Sequence, residues 1–225
     1  MKKLFTLLAL TIGFSMNAQM DDNSANNNSA GAYAVAMGYN TTASGDYSTS
    51  MGYQATASGS SSTAMGNSTA SSLYSTAMGN STASSLYSTA MGYQTTASGI
   101  ASTSMGDSST ASGHYSTAMG LQTTASGAYS TSMGSFTAAI GDSSTAIGNI
   151  AIASGSVSTA MGNWTYASDF ASTVIGQYNS SGSSATSASS FSTSAPAFVI
   201  GNGADSSNKS DAFKVMFNGD ATVSN

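Results

Sequence analysis

The residues that could perform acid–base or nucleophilic chemistry are few and widely separated. The 225-residue chain has one histidine, His114, and its nine acidic residues are all aspartates, with no cysteine, arginine or glutamate. Acid–base catalysis needs several such groups within hydrogen-bonding reach of one another and of the substrate. No such group can be assembled from neighbouring residues, so we expect no enzyme, no catalytic residue and no cofactor, and His114 is interpreted as a solvated turn residue.

The aspartates do not follow a known metal-binding pattern. Asp46, Asp107, Asp142 and Asp169 lie in or beside turns of different repeats, and the glycine-rich repeat that binds calcium is absent. A threefold axis could bring three copies of one aspartate together, but solvent-facing turns are the favoured interpretation. We therefore predict no metal site.

Charge and the N-terminus bear on location and partners. Only 6% of the residues are charged, and the net charge is −5, which argues against nucleic-acid binding.

Residues 1–18 are typical of a secretory signal, with Lys2 and Lys3 before a short apolar run. That run is too short to span a membrane, although a retained N-terminal anchor is the alternative. Removal of the signal leaves Lys209 and Lys214 against nine aspartates, or 2 − 9 = −7. We expect a secreted or cell-surface protein with no membrane-spanning segment after this removal.

The elements that carry these residues follow a repeat. A Met-Gly or Ile-Gly pair recurs every 13 or 14 residues, and Ala-Ser-Gly often follows seven residues later. A fixed period of this length is typical of a solenoid, in which each coil contacts only its neighbours. Each coil is predicted to contain two five-residue extended segments joined by two-residue turns such as Tyr53-Gln54.

The alternation of side chains assigns an inside and an outside to each strand. Alanine or serine stands two residues before almost every such glycine, so this face must point into a narrow interior. The residue just before the glycine then points outward. On one wall it forms a Met/Ile row, made of Met37, Met51, Met65, Met78, Met91, Met105, Met119, Met133, Ile147, Met161 and Ile175. Monomers rarely expose so large an apolar stripe, so we expect the row to pack against further copies of the chain. The alternative is a Met/Ile row that fills the interior.

Two other sets of residues could form a ligand surface. Tyrosines precede the methionine strands at Tyr47, Tyr74, Tyr87, Tyr115 and Tyr129, and a second set follows them at Tyr39, Tyr53 and Tyr93, joined by Leu121. Exposed aromatic residues are typical of interaction surfaces, although shielding of strand edges is the simpler interpretation. The other wall carries a Thr/Ser row with threonine at Thr42, Thr56, Thr96, Thr110 and Thr124. Such a hydroxyl array is similar to the ice-binding faces of some solenoids, and otherwise it is an ordinary soluble face.

The repeat Ser-x-Ala-Met/Ile-Gly-x-x-Ser/Thr-x-Ala-x-Gly resembles the head domain of trimeric autotransporter adhesins, the YadA-like left-handed parallel β-roll. The resemblance covers roughly residues 31–176, about ten coils of 13–14 residues. It implies an all-β homotrimer whose larger apolar residues pack toward the trimer axis, and whose head binds surfaces or matrix proteins. The family continues into a coiled-coil stalk and a membrane anchor, and we expect neither within this sequence.

The predicted organisation has five parts. Residues 1–18 form the signal peptide, 19–30 a polar lead-in, 31–176 the roll, 177–197 a Ser/Ala-rich segment and 198–225 a closing strand with a short hairpin at Asn218-Gly219. The predicted function is non-catalytic adhesion to a surface, matrix protein or carbohydrate. The alternatives are an architectural spacer in a fibre or tail-spike-like protein, and an ice-binding solenoid.

Overall fold

The computed structural model describes residues 27–224, so the predicted signal peptide and most of the polar lead-in lie outside the described part of the chain. Residues 27–224 form strands, turns and loops, with no helix among them. The strands, in chain order, are β1 (Asn28–Ser29), β2 (Val35–Tyr39), β3 (Thr42–Ala43), β4 (Thr49–Tyr53), β5 (Thr56–Ala57), β6 (Thr63–Gly66), β7 (Thr69–Ala70), β8 (Thr76–Ala83), β9 (Thr89–Ala97), β10 (Thr103–Asp107), β11 (Thr110–Ala111), β12 (Thr117–Leu121), β13 (Thr124–Ala125), β14 (Thr131–Ser135), β15 (Ala138–Ala139), β16 (Thr145–Asn149), β17 (Ile152–Ala153), β18 (Thr159–Asn163), β19 (Tyr166–Ala167), β20 (Thr173–Gln177), β21 (Pro196–Asn202), β22 (Asp211–Met216) and β23 (Ala221–Val223).

The coils stack in register as a parallel β-solenoid. Each methionine-bearing strand pairs in parallel with its equivalent in the next coil, so that Met105 lies opposite Met119 and Gly106 opposite Gly120. The strands from β2 to β20 that carry the Met/Ile row form the first wall, and the short Thr-Ala strands between them form the second wall. The roll has about eleven turns, one more than the predicted ten, because each of the eleven residues of the Met/Ile row belongs to its own paired strand.

The second-wall strands are shorter than predicted. They contain two residues rather than five, as in β3 and β5, which pair through Thr42↔Thr56 and Ala43↔Ala57. Beyond Ala43, the N–H groups of Ser44 and Gly45 both donate to the carbonyl oxygen of Ala57, at 3.0 and 3.3 Å. Two successive donors can share one acceptor only where the backbone bends, and the strand therefore ends before the glycine.

Small residues fill the interior, as their position in the repeat predicts. Ala64 and Ala77 have no exposed surface, whereas the neighbouring Met65 and Met78 lie on the outer face and are half-buried. The alternative with the Met/Ile row inside is wrong, because the interior is filled by alanine, serine and threonine, with Val174 and Val199 in the last coils, and the Met/Ile side chains lie on the outer face. Burial of so little apolar surface per coil stabilises the roll weakly, at about 25 cal/mol per Å².

Left-handed turn residues make the corners. Tyr47 and Gln54, one at each corner of a 14-residue coil, have φ near +57° and +56°. In the two 13-residue coils the corners after Gly66 and Gly79 lack this left-handed residue. The second of these corners lies within the long strand β8, whereas the corner within β9 keeps its left-handed residue, Gln94. The glycine of each Met-Gly pair is required for two reasons. Gly120 has φ +132°, and a Cβ there would overlap the carbonyl oxygen of Gly134.

The C-terminal segment covers the last coil. Strand β21 continues the first wall in parallel with β20, and β22 and β23 add antiparallel strands beyond it. On the second wall the side-chain amide of Asn179 takes the place of a strand, since it accepts from the Tyr166 N–H at 2.8 Å and donates to the Tyr166 carbonyl at 2.9 Å. These contacts satisfy backbone groups that would otherwise form an open sheet edge.

Candidate binding surfaces

The Met/Ile row forms a continuous outer stripe on the first wall. All of its side chains are half-buried except Met161, which is 41% exposed. The row continues one strand further than the sequence predicted, because Ile200 pairs with Ile175. The long insertion after Ile175 breaks the period and hid this residue, although Val199-Ile200-Gly201 keeps the local pattern of the repeat. The structure brings the predicted row together, and its role in a trimer stays a prediction.

The tyrosines that precede the methionine strands form one exposed ladder. We call Tyr33, Tyr47, Tyr74, Tyr87, Tyr115 and Tyr129 the tyrosine ladder; each of these side chains is at least half exposed. They stack in three pairs, with ring centroids 5.2 Å apart for Tyr33–Tyr47, 5.2 Å for Tyr74–Tyr87 and 5.1 Å for Tyr115–Tyr129. Tyr33 was missed from the sequence, although it lies 14 residues before Tyr47 in the same turn position.

The opposite corner carries a less regular aromatic edge. The ring centroids of Tyr39 and Tyr53 are 5.3 Å apart, and the rings stack. Within residues 27–224, neither Tyr93 nor Leu121 stacks on a ring. Further along, the left-handed turn position holds Phe136, Ile150, Trp164 and Tyr178, and the last two rings stack at 5.8 Å. This second run was missed because it occupies the neighbouring turn residue rather than the one that holds Tyr39. Its 14-residue spacing was the available signal.

The Thr/Ser row forms a flat outer face on the second wall. Thr42, Thr56, Thr96, Thr110 and Thr124 all lie on this face, joined by Thr69 and Thr82 in register. After Thr124 the same position becomes Ala138, Ile152 and Tyr166. The Lys209 ammonium lies 4.8 Å from the centre of the Tyr166 ring. The hydroxyl face is therefore limited to seven coils.

The polar turn residues bind neighbouring backbone. The carboxylate of Asp46 accepts from the Ala32 N–H at 2.9 Å, Asp142 accepts from Ala128 at 2.9 Å, and His114 Nδ1 accepts from Ile100 at 3.1 Å. Each side chain thus links its turn to the previous coil. Within residues 27–224 no three metal-ligating side chains lie together.

Asp169 is not in a solvent-facing turn, contrary to the sequence-based interpretation. It is fully buried, and its Oδ1 accepts from the backbone N–H groups of Thr186 and Ser187 at 2.5 and 2.7 Å. The interpretation was wrong because residues 186–187 return from the C-terminal segment to cover this corner. Asp169 therefore anchors that segment to the last coil.

The spacing, the small-residue interior and the glycine corners match a known repeat. The YadA head domain repeat matches residues 29–55, 43–69, 57–82, 83–109, 111–137 and 139–163, together more than half of the chain. The chain belongs to the YadA head family. YadA head repeats form adhesin-like β-solenoids, in agreement with the stacked coils of this chain. A comparison with curated proteins gave no significant match. Within residues 27–224, the structure contains no helix long and apolar enough to cross a lipid bilayer.

Proposed function

We propose that this protein is a non-catalytic adhesin head, exported by its N-terminal signal and displayed or released as a homotrimer. The observation that carries the proposal is the outward Met/Ile row, which runs without a gap along a roll built of YadA head repeats. In the proposed trimer of left-handed rolls, three rows meet at the axis and supply the apolar core that the alanine interior lacks. The outer walls and the tyrosine edges then bind a surface, a matrix protein or a carbohydrate.

Two measurements test this function. Light scattering of the mature protein in dilute solution should give a mass near three chains, and beads coated with the protein should adhere to matrix or glycan surfaces more strongly than beads coated with an unrelated acidic protein. Three linked chains multiply weak contacts, so adhesion should fall when the trimer dissociates. A folded monomer would contradict the trimer, and a trimer that adheres to nothing would favour an architectural spacer.

The unbroken Thr/Ser row supports ice binding as a second candidate. Seven threonines repeat at the strand spacing of roughly 4.8 Å on one flat, uncharged face. Thermal hysteresis of the purified protein would reveal this activity, and its absence would remove this candidate.

A further inference from the structure

The tyrosine ladder has two regular gaps. Along its edge the order is a Tyr pair, then Ser61, a second Tyr pair, then Ala101, and a third Tyr pair. Ser61 and Ala101 are both half-buried. Each gap is one coil wide, and a tyrosine ring stands on either side of it. We call these gaps the Ser61 slot, between Tyr47 and Tyr74, and the Ala101 slot, between Tyr87 and Tyr115.

The backbone does not change at either gap. Ser61 and Ala101 have φ of +54° and +52°, close to the +57° of Tyr47 and Tyr74. The Ser61 N–H donates to the Asp46 carbonyl at 2.7 Å, and the Tyr74 N–H donates to the Ser60 carbonyl at 3.0 Å, as at every step of the ladder. Only the tyrosine ring is missing at Ser61 and Ala101, so each slot has about the size of one six-membered ring.

We propose that the Ser61 slot binds one pyranose ring of a neutral glycan between the faces of Tyr47 and Tyr74. This inference rests on the proposed adhesin function and specifies its ligand class. A ring in the slot would lie about 5 Å from both neighbours, because the existing pairs are spaced so along the edge. The C–H groups of a sugar ring carry a partial positive charge that suits the negative faces of the tyrosine rings.

The lining favours a hydroxylated and uncharged ring. The turn at the Ser61 slot consists of two hydroxyl-bearing residues, Ser60 and Ser61, and tyrosine rings stand on either side of it. The Asp46 carboxylate beside it already accepts a hydrogen bond from Ala32. Both lysines of the described residues, Lys209 and Lys214, belong to the C-terminal segment that covers the far end of the roll. Within residues 27–224, no lysine is therefore placed to attract an acidic sugar.

The Ala101 slot is a natural comparison. It has the same backbone and the same flanking rings, but Ile100 and Ala101 supply no hydroxyl group at its base. A pyranose ring should therefore bind it more weakly than the Ser61 slot. The two slots are three coils apart, about 14 Å at the strand spacing, so a long chain of sugar rings could occupy both and gain avidity.

The test is to close the slot by completing the ladder. Ser61→Tyr places a ring in the gap at a left-handed position that tyrosine already occupies in the neighbouring coils, and so it should fold. Ser143→Tyr is the matched control, because it adds a ring one coil beyond Tyr129, at φ +57°, and leaves both slots open. The probes are neutral gluco- and manno-oligosaccharides, with binding to the full mature protein followed by saturation-transfer and titration NMR.

We expect wild type and the Ser143→Tyr variant to bind alike, Ser61→Tyr to bind at least about tenfold more weakly, and Ser61→Ala to fall toward the affinity of the Ala101 slot. The inference is overturned if Ser61→Tyr binds as well as wild type, if binding rises with each added tyrosine, or if wild type binds neither probe. The adhesin function is judged separately, since beads coated with the Ser61→Tyr variant would still adhere through the other faces if only this inference fails.

Discussion

Gly155 and Asp169 occupy the same corner of consecutive coils, and a Cβ atom on Gly155 would overlap the carbonyl oxygen of Asp169. Most corners of this kind have glycine where a following coil packs on them; Ser72 and Ser85, in the two 13-residue coils, are exceptions, and there the backbone N–H donates to the hydroxyl of Ser75 or Ser88. At Asp169 no further coil follows, so a side chain fits, and it binds the returning segment at Thr186 and Ser187. An aspartate in place of the repeating glycine thus marks the end of the roll.

Asp169→Ala should release the returning segment without unfolding the roll. The variant keeps the Cβ atom but loses two hydrogen bonds to a charged acceptor, which should lower the free energy of local opening by about 2–3 kcal/mol. Hydrogen exchange at the Thr186 and Ser187 amides should accelerate, whereas exchange in β12 and β14 should not change. Asp169→Asn retains an acceptor oxygen and should show a smaller effect. Equal exchange in all three proteins would mean that the carboxylate does not hold this segment.

Gly120→Ala should destabilise the roll by about 3 kcal/mol or more, because it combines left-handed backbone strain with overlap of the Gly134 carbonyl. Thermal or denaturant unfolding measures the loss. Gly219→Ala is the control, since Gly219 has φ +94° but no atom within 4 Å of an added Cβ; its cost should be limited to strain of about 1–2 kcal/mol. If the two variants were equally stable, stacking of the coils would not be the reason for the glycine.

Replacement of Met78, Met91 and Met105 by aspartate should dissociate the proposed trimer. Each buried methionine contributes about 1.5–3 kcal/mol per chain, and three adjacent carboxylates would also repel their copies across the axis. The matched control replaces Ser71, Ser84 and Ser98, which lie on the exposed second wall, by aspartate, with the same change in charge. Light scattering should show monomers or unfolded chains only for the first variant. An unchanged mass would place the interface elsewhere.

The hydrogen bonds that hold the loop at Asp205 should be lost in acid. The Asn208 side-chain amide and the backbone N–H groups of Ser207 and Asn208 donate to this carboxylate and lower its pKa below the usual 3.8. Since folding favours the charged form, the contribution is complete above the unfolded pKa and is lost as pH falls through the lower folded pKa. Amide chemical shifts of Ser207 and Asn208 should follow this loss. In Asp205→Asn they should stay constant across the same range, and a titration that persists there would assign the effect to another group.

The inward and outward positions of the repeat could be predicted from the sequence because they depend only on residues within one coil. Position two before glycine is alanine or serine in every coil except the last, which has Val174, so the interior at Ala64 and the outward direction of Met65 could be predicted from one coil and checked against the others. The contacts of Asp169 and Asn179 could not be predicted in this way. Both depend on segments that return from outside the repeat, and no spacing in the sequence relates residue 169 to residues 186–187.

The binding surfaces were only partly predictable for a related reason. The tyrosine positions followed from the period, but their pairing and the equal gaps at Ser61 and Ala101 became evident only when the 13-residue coils were aligned in space. The deletion in these coils removes a left-handed residue from the opposite corner. The tyrosine edge therefore keeps its register, although the spacing between equivalent residues falls from 14 to 13. Phe136 and Trp164 were missed because they occupy the other position of the same turn.

The identical segments 67–79 and 80–92 each form one complete coil that pairs only with the coils on either side. Gain or loss of one such segment would therefore lengthen or shorten the head by roughly 4.8 Å and leave every other strand pairing unchanged. Variants with one coil more or one coil fewer should therefore fold, because the strands on either side of the change meet equivalent partners. In the proposed adhesin, such a change would alter the reach of the head and leave the chemistry of its faces unchanged.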